Sequence, residues 1–145
     1  MKEKLLISAC LLGENCKYNG GNNLHPLVDA LRERYDLIPI CPESWGGLSA
    51  PRSPAERVDD RVLSREGEDW TAAFEKGACL ALETARREGC RKALLKERSP
   101  SCGTGTIYDG TFTGATTAGD GVAAALLRAE GLELFGEGDI RRLLQ

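Results

Sequence analysis

The chain has 145 residues, 41% hydrophobic and 28% charged, with 19 Lys and Arg against 22 Asp and Glu for a net charge of −3. A chain of this size buries about 68–70% of its unfolded surface, so a single core folds it without disulfide staples, and the composition excludes a disordered polymer. The acidic balance lacks a basic footprint for a phosphate backbone, which argues against long nucleic acid as a partner, and no apolar run approaches the roughly 20 residues of a membrane span.

The N-terminal stretch is apolar only briefly before Gly13 breaks it, without the length or cleavage site of a secretory signal, so the cytoplasm is the expected location. Within it, Lys4 to Ala9 reads as a short buried strand. After a turn at Gly20-Gly21-Asn22-Asn23, Leu24, Leu27, Val28 and Leu31 recur at helical spacing and predict a helix over 24–35. Residues 36–40 predict a second strand, whose Pro39 argues against a fully paired central position. Residues 41–60 hold three of the six prolines and Gly46-Gly47 and read as a loop, long enough to suggest that it covers a site.

A small strand is expected at 61–64, then the longest helix at 69–88, capped by Asp69 and ended by Gly89. Residues 92–96 predict a third strand, 107–112 a hairpin, 121–129 a helix stopped by Gly131, and 132–135 a last strand. Strands alternating with helices predict an α/β fold: a single domain over 1–145 with a mostly parallel central sheet and helices on both faces.

Six cysteines, at positions 10, 16, 41, 79, 90 and 102, accompany a single Met and a single His. In a reducing compartment they stay free, to pack, to bind metal or to react. Cys10 directly follows the first predicted strand, Cys41 the second, and Cys102 lies six residues beyond the third strand's Lys96. In a parallel sheet the ligand crevice lies at the carboxyl ends of the strands, so three thiols at such ends can converge into a soft site suited to iron–sulfur or zinc. The competing reading makes each a small buried hydrophobe. Cys79, on the long helix, and Cys90 read as packing residues, while Cys16 shares a loop with Cys10. Neither a phosphate-binding P-loop string, a dinucleotide fingerprint nor a Cys-x-x-Cys pair is present.

Three separated blocks carry a family resemblance. The first is Ser8-Ala9-Cys10-Leu11-Leu12-Gly13 with Cys16-Lys17-Tyr18-Asn19-Gly20. The second comprises Cys41-Pro42-Glu43, Gly46-Gly47-Leu48, Pro51-Arg52 and Pro54-Ala55-Glu56. The third runs from Lys96 through Ser99-Pro100-Ser101-Cys102-Gly103 to Ile107-Tyr108-Asp109-Gly110-Thr111-Phe112 and Gly119-Asp120-Gly121-Val122. Together they resemble the bacterial 2-thiouracil desulfidase (TudS-like) family.

That resemblance implies a [4Fe–4S] cluster held by Cys10, Cys41 and Cys102, with one iron open. It further implies Glu43 and Ser101 as acid–base and orienting groups, Ser99 being the other candidate serine. The implied activity releases sulfide from a small thiolated pyrimidine and leaves the oxo base. Trp45 is available to stack on such a ring, and Arg52 and Glu56 are expected to pair as a structural ion pair. A non-catalytic iron–sulfur or sulfide-binding module and a zinc-thiolate hydrolase on the same three cysteines are the alternatives.

Overall fold

The computed structural model describes residues 2–145. Its centre is a four-stranded, fully parallel sheet of β1 (Glu3–Ser8), β2 (Tyr35–Ile40), β5 (Lys92–Leu95) and β8 (Glu133–Gly136), in the order β2-β1-β5-β8. The register sets Ile7 of β1 opposite Pro39 on one side and Leu94 on the other. Pro39 therefore sits on an edge strand, where a missing N–H need not break a ladder.

The two central strands read as continuous apolar runs because both of their faces are buried. Leu6, Ala93 and Leu95 pack with Ala81 and Ala85 of α3 (Thr71–Glu88) and with Leu127 of α4 (Val122–Ala129). Leu5, Ile7 and Leu94 point the other way, onto Leu31 of α1 (Val28–Arg34) and onto Ile140 and Leu143 of α5 (Ile140–Leu143). Each fully buried side chain of this kind contributes about 1.5–3 kcal/mol relative to exposure. The expected α/β architecture, with helices on both faces, is the one observed.

Several boundaries differ from the periodicity. The first helix starts at Val28, not at 24, because residues 22–27 are tied back as a loop: Asn23 N–H donates to Cys10 O and His25 N–H to Leu11 O. Its other end comes early as well, since Tyr35 is extended, opens β2, and donates its hydroxyl to Leu143 O at 3.0 Å. The 41–60 stretch is not all loop. It contains a four-residue helix, α2 (Pro42–Trp45), and a strand, β3 (Ala55–Val58), that forms a hairpin with β4 (Arg61–Ser64).

α3 starts at Thr71, not at 69, and Trp70, not Asp69, is its N-cap; Asp69 lies one residue before it, where its Oδ1 accepts the Thr71 N–H at 2.9 Å. The last hairpin pairs β6 (Thr106–Tyr108) with β7 (Thr116–Ala118), four residues beyond the 112 limit expected for it. Residues 109–111 instead make a tight turn, with Thr111 N–H and hydroxyl both on Asp109 Oδ1. Among the described residues no helix is long and apolar enough to cross a membrane.

Candidate active site

The strand order brings the three cysteines together. Cys41 follows β2, Cys10 lies in the single helical turn after β1, and Cys102 lies in the loop after β5, so they leave three adjacent strands at their carboxyl ends. All three line one cavity of about 460 Å³, with Cys16, Glu43 and Ser101. Cys90 is buried in the core, while Cys79 is exposed on α3 instead of packed as expected; neither lines the cavity. His25 is likewise absent from the cavity wall, and its Nδ1 accepts the Leu27 N–H.

Each of the three sulfurs has a polar neighbour. Asn23 donates its amide to Cys10 Sγ at 3.4 Å, Ser44 Oγ lies 3.2 Å from Cys41 Sγ, and Ser101 Oγ reaches Cys102 Sγ at 3.7 Å. The Cys16 thiol sits between Cys10 and Cys41. Its hydrogen bonds hold both sulfurs below the ordinary thiol value, Cys41 at about 6, and Cys16 itself is pushed up. Burial raises Cys102 to about 12. Coordination to a metal deprotonates such a thiol outright, so the raised value describes the metal-free chain.

Soft sulfur donors without imidazole, set around a cavity and flanked by hydroxyl and amide groups, fit a thiolate-ligated iron–sulfur cluster.

Glu43 is the second residue of α2 and is held at both oxygens. Arg52 donates to Oε1 at 2.8 Å and Ser101 donates its hydroxyl to Oε2 at 2.7 Å. Arg52 is almost fully enclosed, with 7% of its side chain exposed, and also donates to Cys16 O and Ser49 O. The expected Arg52–Glu56 pair is thus corrected: Arg52 serves Glu43, and Glu56 accepts the backbone N–H groups of Gly110 and Phe112. Arg52 was legible only as a member of the second block, because its partner is chosen by the folded loop.

The two serines separate by geometry. Ser99 Oγ accepts the N–H groups of Ser101 and Cys102 and shapes the turn, whereas Ser101 reaches Glu43. The start of α4 clamps that turn, with Val122 N–H on Pro100 O and Ala124 N–H on Ser101 O. Trp45 is 37% exposed and does not line the cavity. Its aromatic wall comes from Tyr18, Tyr108 and Phe112, which sequence reasoning did not single out for that purpose.

Comparison with known proteins adds three findings. Residues 5–139 match the 2-thiouracil desulfurase family. The Bacillus subtilis (strain 168) protein YbbK, described as uncharacterized, is 36% identical over 150 residues, covering 97% of this chain and 99% of its own. A solved structure of the [4Fe–4S]-dependent thiouracil desulfidase TudS superposes with a TM-score of 0.91 at 46% identity, covering 98% of this chain and 95% of that one.

Proposed function

The chain belongs to the 2-thiouracil desulfurase family and is a desulfidase, and we propose that Cys10, Cys41 and Cys102 hold its [4Fe–4S] cluster while Glu43 and Ser101 manage water and substrate. The observation that carries the assignment is the Glu43 carboxylate, bound by Arg52 and Ser101, on the same cavity as three thiols from adjacent strands. When bound, the cluster supplies an open, soft Lewis-acidic iron for the thiocarbonyl sulfur.

The chain's own groups do the rest. Glu43 takes a proton from water at a carboxylate oxygen as the water oxygen bonds to the ring carbon, and returns it to the departing sulfur; the hydroxyl proton left on that carbon follows as the carbonyl forms. The C–S bond breaks and sulfide leaves, so the thione becomes the oxo base with no net oxidation or reduction. Arg52 fixes the Glu43 carboxylate, and the Ser101 hydroxyl, already directed at Oε2, orients the water or the base. The substrate is a small thiolated pyrimidine, not long nucleic acid, and the site of action is the cytoplasm.

Anaerobic reconstitution with iron and sulfide, followed by a panel of thiolated bases, tests the proposal. The expected result is brown protein that releases sulfide and oxo base in equal amounts. Colourless active protein would point to zinc, and brown protein that releases no sulfide would point to a binding module.

A further inference from the structure

Three features not used by the chemistry meet at one place. Glu56 is a buried carboxylate, 8% exposed. Its Oε1 accepts two backbone N–H groups from the loop after β6, Gly110 at 2.9 Å and Phe112 at 3.2 Å. Phe112 has φ of 57°, a left-handed conformation that costs a bulky L side chain energy and persists only where surroundings enforce it. A glycine or asparagine would hold that backbone more easily.

The enforcement is extensive. Asp109 closes the turn through Thr111, Glu56 fastens the loop from below, and the Arg65 guanidinium lies over the Phe112 ring, 5.8 Å from its centroid. Phe112 nonetheless lines the cavity that holds Glu43, Ser101 and the three thiols. A strained backbone maintained by a buried carboxyl group to keep an aromatic ring on the site wall has a use if the ring meets the ligand.

We propose that Phe112, held by Glu56, is the specificity-determining wall of the site, against which a flat heterocyclic ring stacks. The inference rests on the desulfidase reading and adds how the planar ring is selected. A preformed wall spares the ordering cost of a mobile one, so it raises affinity without a new polar contact. Stacking is indifferent to ring substituents, which leaves the position of the sulfur to be read by the polar groups.

The test uses reconstituted protein and uracil, the unreactive oxo product, titrated by calorimetry. Phe112→Leu is expected to bind uracil about 10-fold more weakly at unchanged iron per chain, and Phe112→Tyr to stay within about 2-fold of wild type. Glu56→Ala should weaken uracil comparably. The Glu56→Ala/Phe112→Leu double variant should be no weaker than Phe112→Leu alone, because Glu56 acts through the ring. Unchanged affinity in Phe112→Leu would overturn the wall, and additive losses would overturn the role of Glu56.

Should Phe112→Leu fail to fold, the wild-type protein decides: it should prefer flat uracil over puckered dihydrouracil, and equal affinity would overturn the proposal. Sulfide release is scored separately. Loss of uracil affinity in Phe112→Leu with no sulfide release by wild type would reject the activity and keep the wall, while the converse pattern would reject the wall alone.

Discussion

Both oxygens of Glu43 are committed to hydrogen bonds, which leaves the carboxylate oriented on the cavity that the thiols line. Glu43→Gln keeps the shape but removes the proton acceptor, and is expected to slow sulfide release about 10²–10⁴-fold at full iron content. Near-normal turnover in that variant would move the proton acceptor elsewhere. The cysteines divide just as sharply: serine at Cys10, Cys41 or Cys102 should leave less iron per chain after anaerobic reconstitution, while serine at Cys79 or Cys90 should not. Cys16→Ser is expected to keep iron and lose at most part of the activity, since Cys16 lines the cavity beside Cys10 and Cys41. The strand-end cysteines could be read from sequence because a strand followed by a loop fixes where its last side chains emerge. Arg52 could not, because Glu56 is nearer to it along the chain than Glu43, nine residues away, and only the turn of α2 and the β3–β4 hairpin selects the more distant partner.

At the level of elements, α2 carries Glu43 and follows Cys41, so its seat on α3 sets the site. That seat is made by two glycines. A Cβ at Gly77 would stand 1.7 Å from Pro42 O, and one at Gly46 would stand 2.0 Å from Ala73 O. Alanine in a helix interior gains about 1 kcal/mol over glycine, but forced overpacking costs about 1–3 kcal/mol or more, and here the clash is with backbone. Gly77→Ala is therefore expected to lower the thermal midpoint by about 3–10 °C and to reduce iron occupancy, both measurable by calorimetry and metal analysis. The loop into α4 depends on Asp120, which accepts from Arg128 and from the Gly105 N–H. Burial opposes its ionisation, but those hydrogen bonds and the charges of Arg128 and Arg57 outweigh it and lower its pKa. A carboxyl depressed in the folded state stabilises fully above its unfolded value and loses that contribution as pH falls through the folded one. Metal-free wild type should therefore lose its stability advantage over Asp120→Asn below about pH 4, and a constant difference in midpoint down to acid would contradict this.

Across the molecule, three adjacent strands meet at the cavity, so a cluster bound there would tie β1, β2 and β5 together at one end. Binding to the folded state alone stabilises it by mass action. Stripping the metal with a chelator should lower the thermal midpoint while leaving the circular dichroism of the sheet and helices, because both apolar clusters are complete without it. Loss of secondary structure on stripping would mean that the metal, not the core, holds the fold. The alternation of strands and helices, the long helix with its Gly89 end, and the strand-end cysteines are local properties, determined by hydrophobic period and cap chemistry within a few residues. Strand order, the α2 seat on Gly77, the Arg52–Glu43–Ser101 chain and the Glu56 support beneath Phe112 were decided only by the tertiary structure. Each joins residues far apart in sequence whose partners become unique only when packing excludes the alternatives, and no periodicity encodes that choice.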